Sequence, residues 1–336
     1  MATVTITGVA GFLGSHLADK FLAEGYHVVG IDSLIGGYES NVPEGVEFYN
    51  LDLVHDFAEL PWIMEDSELV IHAACTAYEG LSVFSPSLVV ANTTQATVNV
   101  LSASAQIGVK KFVYLSSMAR YGDHGEKLFT EDMETRPQDP YGIAKVASEN
   151  LVKNICDTQG IKWVILVPHN IIGPRQKFDD PFRNVASIMT NRMLRGEQPI
   201  IYGDGTQQRC FSFVQDVVAP LFVATQSRDA LGQVINVGPD EEPITINELA
   251  ETLADIIGFE LYPIYMKGRP QEVKVALCAS NKARKILGYQ TGTNLREGLE
   301  ELVDYINGNG PREFDYHLPI EIVNEQTPAT WLKRLM

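Results

Sequence analysis

The β-branched run Val4-Thr5-Ile6-Thr7 leads without a break into Gly8-Val9-Ala10-Gly11-Phe12-Leu13-Gly14 and then into a helix-favouring stretch over residues 15–24. Strand, glycine-rich turn and helix in that order form the first unit of a dinucleotide-binding fold. Gly8 permits the tight turn, Gly11 lets the backbone approach a pyrophosphate, and Gly14 lets the helix pack close to the sheet. The amides around Phe12 and Leu13, at the helix start, face the anion. A second strand, His27-Val28-Val29-Gly30-Ile31, ends in Asp32-Ser33, about twenty residues past the glycines, where a carboxylate accepts from the adenosine ribose hydroxyls. An extra ribose phosphate would meet that negative charge, so NAD is expected rather than NADP.

A second feature lies near the middle of the chain, in Asp139-Pro140-Tyr141-Gly142-Ile143-Ala144-Lys145. Asp139 can cap a helix and Pro140 suits its first turn, so Tyr141 and Lys145, four residues apart, project from one face. A phenol ordinarily ionises near pH 10, but a neighbouring ammonium favours the phenolate and would make Tyr141 a base near neutrality.

The spacing of the three glycines and the Tyr-x-x-x-Lys pair together resemble the short-chain dehydrogenase/reductase superfamily. The chain length and further motifs resemble its extended branch, the nucleotide-sugar epimerases and dehydratases, over nearly the whole chain to about residue 306. Asp52-Leu53 matches the family's acidic-hydrophobic pair beside the adenine. Val70-Ile71-His72-Ala73-Ala74, followed by Cys75, matches the fourth strand and the small residues under the cofactor. Asn92 stands where the family has a structural asparagine in the next helix. The fifth strand, Phe112-Val113-Tyr114-Leu115, ends in Ser116-Ser117-Met118-Ala119-Arg120-Tyr121, in which Ser117 matches the hydroxyl beside the catalytic phenol. The resemblance implies that Ser117 hydrogen-bonds the sugar hydroxyl that loses its proton, while Lys145 binds the nicotinamide ribose and holds Tyr141 ionised.

The same resemblance supplies a substrate side. Pro168-His169-Asn170-Ile171-Ile172-Gly173-Pro174 is similar to a family segment whose proline lies at the cofactor and whose asparagine contacts the substrate diphosphate; His169 replaces an aromatic near the reacting sugar. The loop around Tyr202 resembles the one that passes the nucleotide base. Arg209, in Arg209-Cys210-Phe211-Ser212, and Arg269, in Gly268-Arg269-Pro270, match the phosphate-binding arginines, whose paired donors fit a diphosphate. Glu79 follows the fourth strand closely enough to reach the sugar. The segment 316–336 lies beyond the resemblance and is expected to be a packed extension.

The fold expected is α/β: a Rossmann-type doubly wound parallel sheet with a smaller C-terminal α/β substrate-binding domain. Residues 1–166 form the NAD-binding part, to which later segments return, and residues 167–336 are mainly substrate-binding. With 336 residues and 45% apolar content, both parts can bury a core. Cys75, Cys156, Cys210 and Cys278 lack metal-type spacing, and no metal is expected. The sequence shows no leader and no apolar run of membrane-spanning length, so a cytoplasmic protein is expected. A net charge of −17 disfavours nucleic acid and anionic membrane as partners. It also requires local arginines for an anionic substrate.

By resemblance, the reaction is removal of a sugar hydroxyl proton by Tyr141, commonly at C4, with hydride passing from the same carbon to NAD. Return of the hydride to the other face gives epimerisation; loss of water first gives dehydration. The family's 4,6-dehydratases carry Asp-Glu directly after the active-site hydroxyl, whereas this chain has Met118-Ala119, and neither side chain exchanges a proton. A 4-epimerase is therefore favoured over a dehydratase, a 4-keto-sugar reductase or an NAD-sensing scaffold. A UDP-sugar is the first choice of substrate. The resemblance also implies a homodimer, paired through the helix over 87–108 and the Tyr141 helix.

Overall fold

The computed structural model describes residues 1–125 and 127–336. The opening run forms β1 (Thr3–Thr7), buried along its length, and leads into α1 (Phe12–Ala23). That helix starts three residues before the sequence pattern placed it, because Gly11 already occupies the capping position.

A seven-stranded sheet is built from β1, β2 (His27–Asp32), β3 (Glu47–Asn50), β4 (Ser67–His72), β5 (Lys111–Leu115), β6 (Lys162–Pro168) and the strand Val234–Val237. Every neighbouring pair is parallel, and the order is Val234–Val237, β6, β5, β4, β1, β2, β3. The chain moves outward from β1 through β2 to β3, then crosses back to place β4 on the other side of β1. That reversal opens a crevice beyond the carboxyl ends of β1 and β4, the place where open α/β sheets bind ligands. Two glycines make the crevice narrow. Gly8 has φ +76°, and a Cβ there would lie 2.8 Å from the Ala74 backbone; a Cβ on Gly14 would lie 2.0 Å from the Gly8 carbonyl oxygen. Only glycine lets the turn, the helix and the end of β4 approach this closely.

The two faces of the sheet are covered separately. On one, α1 and the helix Val214–Gln226 bury Val4, Ile6, Leu17, Phe21, Val217 and Leu221. On the other, the helices Ala96–Ile107 and Pro140–Gln159 bury Ile31, Val70, Val100, Phe112 and Val152. A third core lies among the helices Val185–Leu194, Ile246–Ile257 and Leu295–Asn309, with Met189, Leu249, Leu253 and Leu302 at its centre.

Where the sequence pattern reads one helix over 87–108, the structure has the helical turns Pro86–Val90 and Ala96–Ile107 joined by a widened turn, Ala91–Gln95. Such a bulge re-aims side chains and occurs often at functional sites. Here it holds Asn92 on the crevice.

The segment beyond the last long helix packs back across the molecule. Arg312 and Asn191 exchange two hydrogen bonds, the Ser85 hydroxyl donates to the Pro319 carbonyl, and Trp331 packs edge-on against Phe182 at 5.1 Å and Phe84 at 5.8 Å. The extension expected over 316–336 is thus packed, and through Met336 it reaches the crevice.

Candidate active site

The crevice is a cavity of about 500 Å³. Of the residues expected from the sequence to bind the cofactor, Gly8, Gly11, Phe12, Leu13, Gly14, Asp32, Ser33, Asp52, Leu53, Ala73, Ala74, Cys75, Asn92 and Pro168 all line it. Gly11 caps α1 with no side-chain bond to the first turn, so the leading amides stay open to the cavity. Asp32 accepts from the Ala10 amide at 3.0 Å and the Leu34 amide at 2.8 Å, which fixes its carboxylate at the end of β2. Burial pushes its pKa up, and those two amides pull it back.

Ser117, Tyr141 and Lys145 meet on the same cavity. The helix Pro140–Gln159 starts as the sequence implies: the Asp139 carboxylate accepts from the Gly142 amide at 2.9 Å, with Pro140 in the first turn. Tyr141 and Lys145 share one face, and both are buried. The Lys145 ammonium donates to the Leu115 carbonyl at the end of β5 (2.7 Å) and lies 5.8 Å from the centre of the Tyr141 ring. Ser117, which opens the short turn after β5, lines the cavity beside Tyr141, and its hydroxyl favours the phenolate.

The electrostatics correct one expectation. Lys145 and Ser117 do draw the Tyr141 phenol toward ionisation, but burial outweighs them and, with Cys75 nearby, raises its pKa above the usual tyrosine value. The protein alone therefore holds a neutral phenol, because the sequence pattern counted the ammonium and not the desolvation. Burial would lower Lys145, yet Cys75, Tyr114 and Tyr141 together outweigh it and keep the ammonium charged.

The loop that carries Ser117 is clamped to the Tyr141 helix by residues the motif reading passed over. Arg120 donates to both carboxylate oxygens of Glu149, at 2.8 and 3.1 Å, and the Ser116 hydroxyl donates to the same carboxylate at 2.5 Å. Arg120 and Glu149 are 4% and 1% exposed. Glu149 lies two turns beyond Tyr141 on one face of the helix, so the clamp fixes serine and tyrosine relative to each other.

Of the residues expected to meet the substrate, Glu79, Asn170, Tyr202, Arg209 and Arg269 line the cavity as well. The Arg209 guanidinium donates to the carbonyls of Gln208, Val273 and Lys274. Arg269 stacks 4.7 Å over the Tyr202 ring and pairs with Glu272 at 3.1 Å. Tyr202 is itself braced by a hydroxyl bond to Thr330 of the packed extension. Asn170 takes φ +42°, which asparagine tolerates better than most residues, and donates to the Cys210 carbonyl.

His169 is the exception. It lines only a neighbouring cavity of about 80 Å³, its Nε2 is bonded to the Pro239 carbonyl, and burial pushes its pKa down to about 4, which leaves it neutral. A cation absent from the sequence reading, Arg183, also lines the large cavity; it stacks 4.4 Å over Tyr78 and pairs with buried Asp180 at 3.4 Å. Its signal was a lone arginine beside the helix-capping Asn184, which carries no motif.

Similarity to known proteins fits this geometry. Residues 4–238 match the NAD dependent epimerase/dehydratase family. The chain is 32% identical over 309 residues to a putative UDP-glucose 4-epimerase of Methanocaldococcus jannaschii, covering 91% of this chain and 99% of that one. Among solved structures it is similar to UDP-glucose 4-epimerase of Thermotoga maritima with UDP-glucose, at TM-score 0.85 and 32% identity, over 91% of this chain and 99% of that one. It is also similar to UDP-glucuronic acid 4-epimerase of Bacillus cereus in complex with UDP-glucuronic acid and NAD, at TM-score 0.85 and 29% identity, over 92% and 100% of the two chains.

Proposed function

Because the chain belongs to the NAD-dependent epimerase/dehydratase family, we propose that it is an NAD-dependent 4-epimerase of a nucleotide-diphosphate sugar, first of all a UDP-sugar. The observation that carries this reading is the convergence of Ser117, Tyr141 and Lys145 on a cavity that also holds the open amides of α1 and the Asp32 carboxylate. That cradle fits NAD: the open amides at the start of α1 favour a pyrophosphate, and Asp32 suits ribose hydroxyls. Lys145 is placed to donate to the nicotinamide ribose as well as to the Leu115 carbonyl.

When bound there, oxidised nicotinamide supplies the acceptor for the hydride on the sugar's C4, a donor for its return, and a positive charge beside the phenol. The chain's own residues handle the proton. Tyr141 takes it from the C4 hydroxyl, Ser117 holds that hydroxyl in line, and Lys145 stabilises the phenolate as it forms. Arg209 and Arg269 are the residues placed to hold the diphosphate, with Asn170 beside them and Tyr202 against the base. Met118-Ala119 offers no acid or base for water loss, which supports epimerisation over dehydration.

Incubation with UDP-glucose, followed by chromatography, should give the C4 epimer with no net reduction of cofactor. An unsaturated or deoxy-keto product would instead support a dehydratase. Tyr141→Phe should lower turnover about 10²- to 10⁴-fold. We assign residues 1–166 to cofactor binding and 167–336 mainly to the substrate, in a cytoplasmic homodimer paired through the helices that carry Val90 and Ile143, both exposed apolar residues. Light scattering at micromolar concentration tests the pairing, and a monomer would overturn it. No helix among the described residues is long and apolar enough to cross a membrane.

A further inference from the structure

The large cavity and the small one beside it meet at Glu79, Ser117, Asp139, Asn170 and Arg209. Ser117 lines both cavities and Tyr141 lines the large one, so a sugar that reaches this serine and phenol occupies the junction. Glu79 opens a short helical turn, Glu79–Ser82, that follows β4, and its side chain is exposed into the cavity.

The charged groups around it are Asp139, Arg209, Arg269 and Glu272. Each of these has a partner. Asp139 caps the Tyr141 helix, Arg269 pairs with Glu272, and Arg209 is held by three backbone carbonyls. His169, on the small cavity, is neutral. Among the described residues, Glu79 is left with no ion-pair partner. Once a diphosphate engages the two arginines, three carboxylates remain around the sugar, and Glu79 is the one free to bond it.

We propose that Glu79 is a specificity-determining residue that accepts hydrogen bonds from the sugar's hydroxyl or amide groups and restricts the substrate to nucleotide sugars whose hexose carries no charge. This rests on the epimerase reading and narrows it. A uronate would place a second carboxylate at the junction, with like charges facing each other. The protein packed around the cavity, with Asp139 close by, raises the Glu79 carboxyl to about 7. It therefore accepts most fully above neutrality and is protonated below.

The test compares kcat/KM for UDP-glucose and UDP-glucuronate between pH 6 and 9 in the wild type, Glu79→Gln and Glu79→Asp. Taking the ratio cancels the titration of Tyr141, which serves both substrates. The wild type should favour UDP-glucose by about tenfold or more, increasingly as pH rises through neutrality. In Glu79→Gln the preference should fall about tenfold and lose its pH dependence, and Glu79→Asp should keep that dependence. A wild type that turns over both substrates equally, or a Gln variant with an unchanged ratio, overturns the assignment while the epimerase reading stands. A wild type that epimerises neither overturns that reading and this inference with it.

Discussion

Removing the Glu149 carboxylate should cost far more stability than its place away from the reacting atoms suggests. Its partner Arg120 is buried, 4% exposed, and spends two donors on that carboxylate at 2.8 and 3.1 Å. The Ser116 hydroxyl loses its acceptor at the same time. One guanidinium nitrogen of Arg120, Nη1, already lacks a partner, so the strand end has no spare acceptor to offer. Glu149→Ala therefore leaves an uncompensated charge in a dry site, and breaking one side of a buried pair costs about 3–5 kcal/mol. Replacing both partners, as in Arg120→Met with Glu149→Leu, should cost less than the single change, since no charge is then stranded. Urea unfolding followed by circular dichroism gives both values, and the double-mutant comparison isolates the pair. A loss below about 1 kcal/mol for Glu149→Ala would place it in the range of exposed pairs and refute the clamp.

Three further outcomes follow from the same structure. Gly14→Ala puts a methyl 2.0 Å from the Gly8 carbonyl oxygen, so α1 must move off the sheet; NAD affinity by calorimetry should collapse, and unchanged affinity would contradict the cradle. Buried His72, bonded to Thr7 and Thr97, has its pKa pushed down to about 3 from an ordinary 6.5. The unfolded chain then binds a proton that the folded one refuses, so stability should fall as pH drops below 6.5 toward 3, by up to about 1.4 kcal/mol per pH unit for this group. His72→Gln should flatten that slope in urea titrations at pH 7 and 5, and an unaltered slope would count against it. Arg209→Ala should raise the dissociation constant for UDP about 10- to 100-fold, the weight of a charge-assisted bond of about 1.5–3 kcal/mol; wild-type affinity would remove Arg209 from the phosphate site.

What the sequence made legible was local chemistry. Gly8, Gly11 and Gly14 are needed within one turn, Asp139 and Pro140 mark a helix start by themselves, and Tyr141 and Lys145 share a face by helical period alone. The strands β1, β2, β4 and β5 were found with ends off by one to three residues, as at β4, which runs Ser67–His72 and stops before Ala73-Ala74, whereas the strand Val234–Val237 was not anticipated. The end of β4 follows from Gly8, whose turn occupies the space beside Ala74. What stayed hidden depends on tertiary placement. Arg120 and Glu149 are 29 residues apart and meet only because β5 and the next helix are adjacent. Arg183 reaches the cavity from the helix-capping segment before Val185–Leu194. The widened turn at Asn92 leaves no mark in residue type. The ionisation of Tyr141 was overstated for the same reason, since a spacing of four residues shows the ammonium and says nothing about burial.

The central claim is that the C4 hydrogen of the sugar leaves and returns within one enclosed site while Tyr141 handles only the hydroxyl proton. UDP-glucose carrying deuterium at C4, converted to equilibrium in ordinary water and read by proton NMR and mass spectrometry, tests it directly. The account predicts an epimeric product that keeps its deuterium at C4. Product with hydrogen at that carbon would contradict it, because the hydrogen would then have exchanged with solvent.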